Sequence, residues 1–118
     1  MIHPLGYPVQ AEVWWTDFGP GEIGEPAGER PSIVLSPSVE SMDIMPVVVV
    51  IPMTRRNRTY RYRYPIEASK ENGLVTTTYA QIEQVRSISR SRLKGYVGYV
   101  ETEDWNQIRE LTREFLEY

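Results

Sequence analysis

The first two thirds of the chain consist of short apolar runs separated by turn residues. Residues 32–36 and 46–51 are apolar runs of strand length, and the second continues through a proline into Thr54. Residues 12–18 also read as a strand, and its side chains, which point alternately to the two faces, include aromatic residues on both. We therefore expect three strands here, the first of which packs against other elements on both sides.

The middle of the chain predicts further strands. Residues 59–66 follow a period of two, which places tyrosines on one face and arginines on the other. Asn72-Gly73 predicts a tight turn, and residues 74–86 and 96–100 read as two more strands. We expect the tyrosine row to pack in the core or in a dimer interface rather than to stack on bases. Its members are Tyr60, Tyr62 and Tyr64.

The period changes to that of a helix after residue 101. An apolar stripe recurs at helical spacing, and Thr102 is the expected N-cap of a helix over residues 102–117. The stripe is formed by Trp105, Ile108, Leu111 and Phe115. Together these patterns predict a mainly β fold: a small barrel-like sheet of five to seven mostly antiparallel strands with a C-terminal helix. We expect one domain over residues 1–118, with residues 1–10 as a loose lead-in.

Composition restricts the chemistry that is available. The chain has 118 residues, no cysteine and a single histidine, His3. These counts exclude disulfides, thiolate metal sites and a ribonuclease built on two histidines. The carboxylates are scattered singly, so we expect no metal and no cofactor. Residues 47–51 form the longest apolar run, which is too short to span a membrane, and no secretory signal is visible. We expect a cytoplasmic protein.

The net charge of −3 hides a strong asymmetry. Residues 1–53 carry one basic group against seven acidic ones, whereas residues 54–94 carry ten basic groups against three acidic ones. Residues 95–118 are acidic again, with two basic groups against six. Because a local field decides whether a polyanion binds, the basic middle segment matters more than the net charge.

Arg30 and Thr54 are candidate phosphate-binding residues within this pattern. A Gly/Pro-rich loop over residues 24–31 ends in Arg30-Pro31, and the proline favours an extended backbone at Arg30. Thr54 follows the second apolar run. If the two strands are neighbours, a guanidinium and a hydroxyl meet at one sheet edge and suit a phosphate. Either residue alone is more often a surface ion pair or a turn hydroxyl.

Three blocks in order resemble the MazF/PemK (Kid) toxin endoribonucleases. They are residues 12–36, which contain Glu25-Pro26-Ala27-Gly28-Glu29-Arg30-Pro31, then residues 49–54 and residues 83–93. The resemblance implies an SH3-like barrel, a homodimer, and metal-independent cleavage of single-stranded RNA at short sequences. It also implies a cognate antitoxin that occupies the RNA groove.

The resemblance places Arg30 and Thr54 on the catalytic arginine and its hydroxyl partner. Glu25 and Gln84 fall on positions of the substrate groove. The remaining RNA contacts are expected from the basic loop beside Thr54 and from the third block: Arg55, Arg56, Arg58 and Arg86.

In RNA the 2′-OH can attack the adjacent phosphorus. A guanidinium suits the dianionic phosphorane that forms. We expect Arg30 to stabilise that charge and to donate a proton to the leaving group, Thr54 to donate to the same oxygens, and Glu25 to accept the 2′-OH proton.

Two other functions stay open at this point. The same barrel could be a CcdB-like toxin that poisons DNA gyrase through its C-terminal helix. It could also be an inactive family member that only binds RNA or an antitoxin.

Overall fold

The computed structural model describes residues 6–37, 44–57 and 60–117. It contains seven strands and one long helix, together with short 3-10 helices at Ile82–Gln84 and Arg90–Arg92. In chain order the elements are β1 (Glu12–Asp17), β2 (Glu29–Val34), β3 (Val47–Thr54), β4 (Arg63–Ile66), β5 (Thr78–Gln81), β6 (Arg86–Ser89), β7 (Leu93–Tyr99) and α1 (Thr102–Leu116). The predicted mainly β fold with a C-terminal helix is confirmed.

Strand β3 is the centre of the sheet. The strand order is β4-β5-β3-β2-β1-β7, and β6 also pairs with β3. All of these pairings are antiparallel. Val50 pairs with Val34 of β2 and with Arg86 of β6, so these two strands lie on opposite edges of β3. Among the described strands the order ends at β4 and β7, which makes the sheet barrel-like but not closed.

The predicted strand over residues 74–86 is wrong in its extent. This part of the chain instead forms two short strands that pair with β3, Thr78–Gln81 and Arg86–Ser89, and the 3-10 helix at Ile82–Gln84 separates them. The interruption shifts the register along β3 by three residues, from Met53↔Ala80 to Val50↔Arg86. The buried Ile82 explains the break, because the turn directs its side chain into the core.

Two apolar clusters cover the two faces of the sheet. Val13 belongs to the first cluster, together with Ile51 and Met53 of β3 and Ile108 of α1. The second cluster contains Phe18, and Trp14 packs against this cluster. Its remaining buried members are Val34, Val48, Val50 and Ile88. The first strand therefore packs on both faces, as its aromatic pattern predicts.

Helix α1 closes the first cluster. Ile108 and Thr112 are buried, and Tyr64 donates a hydrogen bond to Asp104 Oδ1 at 2.7 Å. Burial, followed by the bond to Asp104, raises the pKa of Tyr64 to about 12. The prediction of Thr102 as N-cap is wrong: Glu101 is the N-cap, and its carbonyl accepts from Trp105 N. The acidic first turn complements the helix dipole without a side-chain cap.

The predicted strand over residues 59–66 begins late, at Arg63. Arg63 N donates to Tyr60 O at 3.1 Å and closes a turn over residues 60–63. Tyr62 and Tyr64 pack against the first cluster, so the predicted packing holds for these two tyrosines. Within the lead-in, Tyr7 packs against the second cluster and Gln10 donates to Leu35 O at 2.9 Å.

A close backbone approach joins β7 to the loop between β4 and β5. The side chain of Asn72 is buried and accepts hydrogen bonds from Ser69 N and Leu74 N. Gly98 lies directly against this loop: a Cβ there would lie 2.4 Å from Glu71 O and 2.6 Å from Asn72 C. The turn predicted at Asn72-Gly73 therefore docks onto a strand that has to carry glycine.

Gly98→Ala should destabilise the protein by about 1–3 kcal/mol, because backbone atoms would have to move to admit the methyl group. Gly95→Ala is the matched control, since a Cβ at Gly95 of the same strand meets nothing within 4 Å. Chemical denaturation of both variants measures the difference. Equal stability of the two variants would contradict this account of the loop.

Candidate active site

The pairing of β2 with β3 brings Arg30 and Thr54 together. Their register runs from Val34↔Val50 to Ser32↔Pro52. Continued by two residues, this register would place Arg30 of β2 opposite Thr54 of β3. Arg30 also pairs with Thr16 of β1, which holds its backbone from the other side. The structure thus brings the predicted guanidinium and hydroxyl to one sheet edge.

Both residues line a cavity of about 610 Å³. One part of its wall is polar and mostly cationic, and it contains Glu29, Arg30, Thr54, Arg55 and Arg56. Another part is apolar and contains Trp15, Leu74, Val75 and Val97. The cavity can therefore hold an anionic group beside an apolar or aromatic one.

The Arg30 guanidinium is held by neutral acceptors. Nη1 donates to Gln81 Oε1 at 3.3 Å, and Nη2 donates to Ala27 O at 3.1 Å. No carboxylate forms an ion pair with Arg30 in the part of the chain that the structure describes. Partial burial lowers the pKa of Arg30, and the charges of Arg56 and Arg63 lower it further. The two acceptors orient the Arg30 guanidinium without neutralising its charge, so the charge is available to a ligand.

The Thr54 hydroxyl is also available to a ligand as a donor. Its Oγ1 accepts a hydrogen bond from Arg56 N at 3.2 Å, so the oxygen is fixed while its hydrogen can point into the cavity. The same bond places the backbone of Arg56 at the cavity wall. The Arg30 guanidinium and the Thr54 hydroxyl line the same cavity, and together they can donate hydrogen bonds to the oxygens of a phosphate.

Glu25, Gln84 and Arg86 lie elsewhere, at the loop between β1 and β2. Gln84 Nε2 donates to Gly24 O at 2.8 Å, and Arg86 Nη1 lies 3.7 Å from Glu25 Oε2. None of the three lines the cavity. The structure does not bring Glu25 to Arg30; instead, Gln84 and Arg86 secure the loop that carries Glu25.

The basic loop is placed in part. Arg55 and Arg56 line the cavity, whereas Arg58 lies outside the described residues. Two site residues were missed by the sequence reasoning: Gln81, which holds Arg30, and Glu29, the carboxylate in the cavity wall. Glu29 precedes Arg30 and could have been noticed, but nothing in the sequence indicates that Gln81 reaches across from β5.

The described residues contain no group of three or more acidic or histidine side chains placed to hold a metal ion. Nor is there, among them, a helix with the length and apolar character to cross a membrane.

A small antiparallel β protein that brings an arginine held by neutral acceptors, a threonine hydroxyl and further arginines to one cavity has a site that suits an anion such as a phosphate. The chain belongs to the family described as PemK-like, MazF-like toxin of type II toxin-antitoxin system, whose model matches residues 9–116. The family predicted from the sequence is confirmed.

Individual relatives agree with this assignment. The chain is 28% identical over 106 residues to the endoribonuclease MazF9 of Mycobacterium tuberculosis, covering 86% of this chain and 89% of that protein. A crystal structure of MazF from Deinococcus radiodurans has a TM-score of 0.79 at 22% identity, covering 93% and 96%. A mycobacterial endoribonuclease in complex with its cognate antitoxin has a TM-score of 0.73 at 18% identity, covering 94% and 98%. The structural likenesses show a shared fold.

Gln81→Glu should weaken anion binding in the cavity. A carboxylate in place of the neutral amide oxygen would raise the pKa of Arg30 and compete with any bound anion. We expect roughly a tenfold or larger loss of affinity for tripolyphosphate, measured by titration calorimetry at low salt. Gln81→Leu is the control that removes the acceptor without adding charge. An equal loss in both variants would mean that the lost acceptor, and not the added negative charge, lowers the affinity.

Proposed function

We propose that the protein is an endoribonuclease toxin that cleaves single-stranded RNA. The observation that carries this proposal is the shared cavity, which is lined by a threonine hydroxyl and by an oriented arginine that has no carboxylate partner among the described residues. Family membership and relatives named as endoribonucleases support the same activity.

The proposed reaction uses the RNA as its own nucleophile. The 2′-oxygen forms a bond to the adjacent phosphorus and the bond from phosphorus to the 5′-oxygen breaks, which leaves a cyclic phosphate and a 5′-hydroxyl. Arg30 and Thr54 donate to the non-bridging oxygens while negative charge develops on them. No metal is needed, because fixed donors supply the charge stabilisation.

Two protons move in this reaction. A guanidinium with a lowered pKa releases a proton more readily than an ordinary arginine, so Arg30 is suited to protonate the leaving 5′-oxygen. Glu25 is proposed to accept the 2′-OH proton. Its contact with Arg86 is a surface ion pair of 3.7 Å, and because such pairs contribute little to stability, Glu25 can exchange this contact for one with RNA.

The proposal extends to targets and partners. Messenger RNA in the cytoplasm is the proposed substrate, and Arg55, Arg56, Arg58, Gln84 and Arg86 are proposed to contact it or to shape its groove. A cognate antitoxin would neutralise the protein, as the antitoxin complex of the mycobacterial structural relative suggests. The homodimer also remains a prediction.

Arg30→Ala should lower the cleavage rate by about 10²–10³, since one well-aimed charged donor is lost. The purified protein is incubated with single-stranded RNA in excess chelator, and the products are sequenced at their 5′ ends. Arg61→Ala is the matched control, because Arg61 is exposed and paired with Glu114 on α1. Loss of wild-type cleavage in chelator would contradict metal independence, and full activity of Arg30→Ala would contradict the site.

The identity of the proton acceptor is decided by a pair of variants. Glu25→Gln should lower the maximal rate by about 10²–10⁴, the range for loss of a general base, with little change in KM. Glu29→Gln removes the carboxylate of the cavity wall and should have a smaller effect. Single-turnover kinetics on one RNA measure both. The reverse order of effects would transfer the role to Glu29.

A further inference from the structure

Tyr60 differs from the other two tyrosines of its row. Tyr62 packs edge-on against Phe115, with ring centroids 5.0 Å apart, and Tyr64 bonds to the helix through Asp104. Tyr60 is 55% exposed and precedes β4. The same alternating pattern therefore gives two core residues and one aromatic ring on the surface.

The ring of Tyr60 is nevertheless held in place. The Arg63 guanidinium carbon lies 5.1 Å from the ring centroid, and Arg63 Nε donates to Glu83 Oε1 at 2.8 Å. The Arg63 side chain is only 10% exposed, so this cation is itself fixed. The backbone bond between Arg63 N and Tyr60 O closes the turn beneath the ring. A fixed ring loses little conformational entropy when a ligand stacks on it.

Tyr60 is also connected to the proposed catalytic centre through two intervening side chains. Arg63 of β4 lies directly across from Gln81 of β5, so the two side chains share one face of the sheet. Gln81 in turn holds Arg30 through the bond of 3.3 Å. The charge of Arg63 reaches Arg30, where it contributes to the lowered pKa. A chain of contacts therefore leads from Tyr60 through Arg63 and the buried Gln81 to Arg30.

We propose that Tyr60 is a stacking platform for an unpaired base of the RNA, next to the nucleotide whose phosphate Arg30 and Thr54 bind. Arg63 covers part of the ring, and the exposed part is offered to the base. An exposed aromatic ring flanked by cations suits single-stranded nucleic acid, because every base has a π face and every nucleotide carries a phosphate. This inference rests on the proposed function and adds a binding residue outside the cavity.

The test compares RNA with and without bases. The first probe is a fluorescent single-stranded RNA of mixed sequence with 2′-O-methyl riboses, which cannot attack their own phosphates. The second probe is an oligomer of equal length with the same backbone and no bases. Tyr60→Ala should lose roughly 5- to 150-fold in affinity for the first probe and nothing for the second. Tyr60→Phe, which keeps the ring, should bind both probes as the wild type does.

Tyr99→Ala is the matched control, because Tyr99 is 48% exposed on β7 and does not line the cavity. It should leave both affinities unchanged. Unchanged binding by Tyr60→Ala would overturn the inference, as would an equal loss on both probes or a loss in Tyr60→Phe that matches the alanine variant. Failure of the wild type to bind either probe would overturn the proposed function itself, which separates the two cases.

Discussion

The antiparallel register between β2 and β3 is the constraint on which the site depends. Ser32 pairs with Pro52, and Arg30 and Thr54 lie two residues beyond this pair on their strands and line the same cavity. A slip of one residue would turn every side chain of one strand to the opposite face and would separate the guanidinium from the hydroxyl. The buried runs of β2 and β3 oppose such a slip, since it would expose Ile33 and Ile51. Core packing therefore fixes the chemistry.

The way Arg30 is held explains why the site suits an anion. A partly buried guanidinium beside other cations is unfavourable unless its donors are satisfied. Gln81 and Ala27 satisfy two of them with neutral oxygens, which orient the group without cancelling its charge. Arg63 shows the opposite arrangement, because Glu83 pairs with it at 2.8 Å. Arg63 thus has a carboxylate partner, whereas Arg30 has neutral acceptors and keeps its charge available for a ligand.

The fold also reconciles an acidic pI of 5.2 with the proposed polyanionic substrate. The basic middle segment supplies Arg55 and Arg56 to the same cavity wall as Arg30, which comes from the acidic first half. Acidic residues of the C-terminal segment lie on α1, where Glu114 pairs with Arg61 and Asp104 accepts from Tyr64. The helix is thereby bound to the sheet by contacts that leave the cavity cationic. The net charge therefore says little about binding, because the positions of the charged side chains determine the field at the cavity.

The sequence by itself determined the fold class, the apolar runs that become β1 to β3, and the helix, because periodicity and turn chemistry act locally. Three ordered blocks of residues indicated the family, and with it the importance of Arg30 and Thr54. It misplaced the start of β4, the continuity of β5 with β6, and the cap of α1, where tertiary contacts outweigh local preference. Only the folded sheet decided that Gln81 holds Arg30, that Glu25 lies outside the cavity, and that Tyr60 stays exposed while Tyr62 and Tyr64 are packed. Each of these depends on which strand lies beside which. A contact between distant residues, such as that between Arg30 and Gln81 with a sequence separation of 51, leaves no periodic signal in either segment.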